Sequence, residues 1–255
     1  MSTKALREEA ARLTGQFQQA RRDPELVILE GFHALKHALR FDARIDAVVS
    51  WDAEELARLS EGFAPDISEV IAARAQIVSR KVFRQLGPYE PHTGVVSIAH
   101  RSHVDPRKLL AERGGAPLIL LEDPRHRGNL GAVIRVAAAA RATGVLTTGI
   151  HDPWDPVAVR GSAGLHFALP VAHLERLPEL DRPLLALDPD GEPIRPRMVP
   201  ADALLAFGSE RHGLSSSLLE RADARISLPM RAGVSSLNLA TSVAAVLYSL
   251  QLCGG

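Results

Sequence analysis

A chain of 255 residues exceeds the usual span of one hydrophobic core and leaves room for two domains. No apolar run reaches the roughly 18 residues of a membrane span. The N-terminus carries charges where a signal peptide would be apolar, and the single cysteine, Cys253, has no partner for a disulfide or a thiolate metal site, so a cytoplasmic protein without membrane contact is expected. Lys and Arg total 30 against 30 Asp and Glu, which excludes a global field for a polyanion and leaves nucleic-acid binding to local patches.

In the first part of the chain, β-like runs at Leu26 to Leu29, Ile45 to Val49, Gln76 to Val78 and Val95 to Ala99 alternate with helical stretches at Phe32 to Leu39 and Ala53 to Leu59. That pattern predicts a small α/β domain. His33 and His37 stand at helical metal-ligand spacing with Glu30 nearby, but the catalytic glutamate of H-E-x-x-H is missing and no metal is expected. Arg74, Arg80, Lys81 and Arg84 flank a predicted strand, and Arg80, Lys81 and Arg84 are the candidates for phosphate contacts. A polar stretch with Gly114, Gly115 and Pro117 then marks the boundary: residues 1–106 form the first domain, 107–116 a linker, and 117–255 the second domain.

Beyond it, "PLILLED", "GVLTTG", "LLALD", "LLAFGSE" and "ARISLPM" read as buried strands separated by helices and by Gly- and Pro-rich loops, which predicts a parallel sheet covered on both faces. Ligands in such sheets bind beyond the carboxyl ends of the strands. Three segments lie there. In the first, Asn129 is expected to cap a helix from Leu130 to Arg141 stopped by Gly144; Arg135, set among Val133, Ile134, Val136 and alanines, needs a ligand or a partner such as Glu210. In the second, Gly208-Ser209-Glu210 and Gly213 precede a helix opening near Ser215. Gly208 should admit a ligand close to the backbone, so a valine there should block binding in a folded protein. Neither G-x-G-x-x-G nor a phosphate loop is present. In the third, "LPMRAGVSSLN", Ser235, Ser236 or Asn238 can satisfy free amides at the start of the last helix.

Together the three segments resemble the SpoU (TrmH-type) branch of the SPOUT RNA methyltransferases. Its N-x-G-x-x-x-R motif is matched by Asn129, Gly131 and Arg135, its G-x-E-x-x-G by Gly208, Glu210 and Gly213, and its I-P-M-x-G-x-x-S-L-N by "LPMRAGVSSLN". The N-terminal "ILEGFHALKHAL" and "HTGVVSIA" are similar to the ribosomal-protein-like substrate-binding domain of many members. The resemblance implies an α/β SPOUT domain with a C-terminal trefoil knot, S-adenosylmethionine held by Gly208, Leu228 and Leu237, and a homodimer. It also implies that Asn129, Arg135, Glu210, Ser236 and Asn238 gather around a ribose 2′-hydroxyl. The resemblance implies that Arg135 assists loss of the hydroxyl proton; because arginine is a poor base, it is expected to bind the adjacent phosphate and stabilise charge developing on oxygen, with a deprotonated arginine acting as base as the alternative. The implied reaction is 2′-O-methylation of RNA, ribosomal RNA ahead of transfer RNA, with an inactive RNA-binding or assembly protein as the alternative. One departure stands out: His126-Arg127-Gly128 replaces the acidic-proline turn of many relatives and is expected to add positive charge beside the site.

Overall fold

The computed structural model describes residues 3–253 and separates into two compact units, one ending at Arg101 and one beginning at Ser102. The first contains, in chain order, α1 (Thr3–Ala20), β1 (Leu26–Glu30), α2 (Phe32–Arg40), β2 (Ile45–Ser50), α3 (Ala53–Phe63), α4 (Ser68–Arg74), β3 (Ala75–Ile77), α5 (Arg80–Phe83) and β4 (Val95–His100). Its four strands run in the order β1-β4-β2-β3; β4 is antiparallel to β1 and β2, while β2 and β3 are parallel. Alternation along the strands divides the apolar side chains between two faces. Ile28, Val49 and Ile98 pack with Leu13 and Phe17 of α1, whereas Val48 and Val95 pack with Phe32, Leu35, Leu56 and Ile71.

The second unit contains α6 (Pro106–Ala111), β5 (Leu118–Leu121), α7 (Arg127–Ala139), β6 (Gly144–Thr147), α8 (Pro156–Gly161), β7 (Val171–His173), β8 (Leu184–Pro193), β9 (Leu204–Phe207), α9 (Ser216–Arg221), β10 (Ala224–Ser227) and α10 (Leu239–Cys253). The segment expected as a linker is partly helical. Asp105 caps α6 through the Arg107 N–H, Pro106 opens it, and Leu109 and Leu110 are buried in the core of this unit.

Six parallel strands form one sheet in the order β10-β8-β9-β5-β6-β7. The apolar runs are continuous because both faces are covered. Ile119 and Leu121 of β5 face the layer that contains Leu130, Val133 and Ile134 of α7 and Val243 and Val246 of α10, while Leu118 and Leu120 face Leu109 of α6 and Leu218 of α9. The chain runs from β5 outward to β7 and returns on the other side of β5, so β5 and β9 flank the point where strand order reverses. Their carboxyl ends are where a ligand crevice opens.

Helix α7 differs from expectation at both ends. It begins at Arg127, and its cap is His126, whose Nδ1 accepts the Asn129 N–H at 3.3 Å. The ring folds back over Gly128, where an added Cβ would lie 3.0 Å from it. At the other end the chain turns through Arg141, with φ 52°, and Gly144 opens β6 instead of stopping the helix. Gly131 has a packing role: a Cβ there would sit 2.2 Å from the Ala158 carbonyl oxygen, so the glycine lets α7 and α8 approach closely.

Candidate active site

The turn after β9 is closed on itself. Ser209 and Gly213 exchange two backbone hydrogen bonds of 3.0 Å, and Gly213 takes φ 65°. Gly208 lies beneath this closure. A Cβ on it would be 2.0 Å from the Gly213 carbonyl carbon and 2.2 Å from the Leu214 nitrogen, both backbone atoms. The glycine is therefore demanded by the turn itself, beside any approach of a ligand to the backbone.

From this turn Glu210 reaches the loop after β5. Its Oε1 accepts from Asn129 Nδ2 at 2.8 Å and its Oε2 from the Arg125 N–H at 3.1 Å. Asn129 Oδ1 in turn accepts from Asn238 Nδ2 at 3.1 Å, and Asn238 Oδ1 accepts the Ala240 N–H at 3.0 Å and the Thr241 N–H at 3.4 Å, capping α10. Because His126 caps α7, the Asn129 side chain is released from capping to connect Glu210 with Asn238. The bonds fix both amide orientations, and each amide keeps a second N–H with no hydrogen-bond partner among the described residues.

Burial pushes the Glu210 carboxyl up, but the Asn129 amide and the backbone N–H groups of Glu210, Arg125 and His126 outweigh it and hold the carboxyl below its ordinary range. Glu210 is thus ionised near neutrality. The stability these bonds contribute is present above the ordinary glutamate range and is lost as pH falls through that range toward the lowered folded value.

A cavity of about 550 Å³ opens beside this chain of bonds, a size ordinary for a small-molecule site. Gly208, Glu210, Leu228, Ser236 and Leu237 line it, with Phe207 and Ile226 behind them; Asn129, Asn238 and Arg135 do not. Arg135 also departs from expectation. It lies on the exposed face of α7, whose buried face carries Leu130, Val133, Ile134 and Ala137, and it makes no hydrogen bond or ion pair among the described residues. Glu210 is not its partner. The positive charge expected at 126–127 is likewise altered, since His126 is a cap and Arg127 pairs with Asp155 at 2.9 Å.

Two lining residues carried no flag in the sequence. Pairing of β10 with β8 jumps from Arg225 opposite Ala186 to Ile226 opposite Glu192, which extrudes residues 187–191 toward the cavity. Asp188 braces this bulge by accepting the Asp190 N–H at 3.0 Å, and Ser227 Oγ donates to the Gly191 carbonyl at 2.9 Å. Asp188, Asp190 and Glu210 then line the cavity with Arg211, the one lysine or arginine in its wall among the described residues; the Glu210 carboxylate is held by Asn129 and the Arg125 N–H, and Arg225 stands 3.9 Å from Asp188. Such a wall favours a ligand with positive charge and disfavours a polyphosphate. The only advance signal was the Asp-Pro-Asp-Gly turn composition after a strand.

In the first unit, Arg80 and Arg84 both hydrogen-bond Glu90, at 2.6 and 2.8 Å, and the Arg80 guanidinium lies 4.5 Å over the Trp51 ring. Lys81 is exposed on α5. His33 packs edge-on against Phe32 and Phe63, at 5.9 and 5.7 Å between ring centres.

Comparison with known proteins adds the following. The SpoU rRNA methylase family model matches residues 116–248. A protein of Mycobacterium bovis named an uncharacterized tRNA/rRNA methyltransferase is 30% identical over 242 residues, 90% of this chain and 82% of the relative. The 23S rRNA (uridine(2479)-2′-O)-methyltransferase of Streptomyces viridochromogenes is 33% identical over 146 residues, 51% of this chain; the match spans about half of that relative, 50% of its length. The crystal structure of the SpoU methyltransferase AviRb of Streptomyces viridochromogenes in complex with AdoMet superposes with a TM-score of 0.72 at 23% identity, covering 100% of both chains, a likeness of fold.

Proposed function

The chain belongs to the SpoU rRNA methylase family, and from that premise we propose that it methylates a ribose 2′-hydroxyl of ribosomal RNA with S-adenosylmethionine as donor. The observation that carries this reading is the meeting of Asn129 from the first turn of α7, Glu210 from the turn after β9 and Asn238 from the start of α10, beside a cavity lined by Gly208, Leu228 and Leu237. The carboxylates of Asp188, Asp190 and Glu210 suit a sulfonium-bearing donor, and Phe207, Leu228 and Leu237 offer apolar surface to a base. Bound there, the donor would supply an electrophilic methyl group, which requires no metal.

The protein's own task is placement. Glu210, ionised and already accepting hydrogen bonds from Asn129 and Arg125, locks the amides and is a poor proton acceptor. The second N–H groups of Asn129 and Asn238 are available to hold the substrate oxygen. Ser236, in the cavity wall, adds a hydroxyl. Arg135 is assigned to the neighbouring phosphate and to charge developing on oxygen. Because Arg135 is exposed, Arg135→Ala should leave the melting temperature within about 2 °C of the parent and cofactor affinity unchanged, while single-turnover methylation falls by roughly a hundredfold. A large melting shift with an unaltered rate would remove it from the reaction.

The same reading makes the protein a cytoplasmic homodimer and assigns a trefoil knot to the segment from β9 to α10. The knot rests on the likeness to the family; the turns after β9 and β10 line one cavity, and α10 returns onto α7, where Gln251 Nε2 donates to the Ala140 carbonyl at 2.5 Å. The first unit is assigned to RNA binding as the ribosomal-protein-like domain, 1–106 in the sequence reading, with Arg80, Lys81 and Arg84 as phosphate contacts. Glu90 already occupies two of these, so RNA must compete with it. Replacing all three by alanine should weaken RNA affinity and flatten its salt dependence with cofactor binding intact; an unchanged salt slope would place the RNA elsewhere.

Isothermal titration tests the reading of the cavity. S-adenosylmethionine should bind the purified protein and NAD, with its pyrophosphate, should not; the reverse preference would overturn the assignment.

A further inference from the structure

The carboxyl end of β5 holds a second carboxylate for which the proposed reaction has no use. Glu122, the residue after β5, accepts the Ser215 N–H on Oε2 at 2.7 Å and the Ser215 hydroxyl on Oε1 at 2.6 Å. Ser215 is the cap of α9, where its Oγ also accepts the Leu218 N–H at 3.2 Å. The Glu122 N–H donates to the Phe207 carbonyl at 2.9 Å. One residue therefore holds both ends of the segment 208–215.

Within that segment the turn is closed by the paired bonds between Ser209 and Gly213, and two carboxylate anchors tie it to its surroundings. Glu210 provides one by reaching to Arg125 and Asn129; Glu122 provides the other in the opposite sense. Each loop at the reversal of strand order lends a carboxylate to its neighbour. Neither Glu122 nor Ser215 lines the cavity.

We propose that Glu122 is a positioning residue: through Ser215 it sets the lean of the 208–215 turn, and with it the cavity wall from Gly208 to Glu210, and so governs cofactor affinity without touching the cofactor. The affinity part rests on the cavity being the S-adenosylmethionine site. A cap that served α9 alone would affect melting and leave ligand affinity untouched.

Glu122→Ala, Glu122→Gln and Ser215→Ala separate these outcomes. In Glu122→Ala the affinity for S-adenosylmethionine, measured by titration on the full chain, should fall about tenfold or more, because two bonds to a charged acceptor are lost. Glutamine keeps one acceptor oxygen and should lie between parent and alanine. Ser215→Ala keeps the backbone donor and should cost less, and its effect should shrink in the Glu122→Ala background because the two share one interaction. Hydrogen exchange over 208–215 without any ligand should quicken in the same order. Unchanged exchange and affinity in Glu122→Ala, or lowered melting with unchanged affinity, would overturn the proposal. If the parent binds no S-adenosylmethionine, the reading of the cavity falls, and exchange over 208–215 alone decides the role of Glu122.

Discussion

Asn129→Ala should reduce single-turnover methyl transfer by about a hundredfold and lower the melting temperature by a few degrees, with cofactor affinity changed little. Asn129 is the link between Glu210 and Asn238, giving 2.8 Å and 3.1 Å bonds to the two. A bond to a charged group contributes about 1.5–3 kcal/mol and a neutral one about 0.5–1.5 kcal/mol. Their loss is read in melting, softened by water at the open site; the hundredfold in rate, about 2.7 kcal/mol, comes from losing the amide donor to the substrate oxygen. Glu210 keeps the Arg125 N–H and Asn238 keeps its capping bonds from Ala240 and Thr241, so both stay anchored while the Asn129 donor beside them is lost. Asn129→Asp should do worse than alanine, because a carboxylate cannot donate to Glu210 and sets like charges at hydrogen-bond distance. Equal rates for parent and Asn129→Ala would show that the connected amides play no part in the reaction.

Gly208→Val should abolish cofactor binding and lower the melting temperature together. The Cβ would stand 2.0 Å from Gly213 and 2.2 Å from Leu214, and since these are backbone atoms no rotamer change relieves the overlap. Opening the turn breaks the paired Ser209 and Gly213 bonds, and the cavity wall built on them goes with it. Gly208→Ala already carries the clash and should show the same paired loss. Lost binding at an unchanged melting temperature would instead mean that the side chain obstructs a ligand and leaves the turn intact.

These expectations depend on contacts that the sequence displayed unevenly. β5 and β9 were legible because Leu118–Leu121 and Leu204–Phe207 are buried on both faces and so are apolar at every position. Helix α1 was missed: among its described side chains only Leu13, Phe17 and Ala20 are buried, along a stretch otherwise rich in charge and glutamine. Asn129 was flagged by its motif, and its local reading as the cap of α7 failed, since no local rule shows a histidine three residues earlier taking that place. Arg135 read as a cation in an apolar helix because alanines surround it. Alanine marks no face, and the helical period puts Arg135 outward while Val133, Ile134 and Ala137 point in. The extruded carboxylates of Asp188 and Asp190 depend on a register break between β8 and β10, a property of two strands distant in sequence. The bond from Glu122 to Ser215 is hidden for the same reason, spanning 93 positions.

Transfer of label from methyl-labelled S-adenosylmethionine to ribosomal RNA from a strain lacking the gene, followed by alkaline hydrolysis and mapping, tests the central claim most directly. The account predicts label on a ribose 2′-oxygen, read as one phosphodiester that resists alkali, and its loss with Asn129→Ala. Label on a base, or no transfer to ribosomal RNA by protein that binds the cofactor, would contradict it.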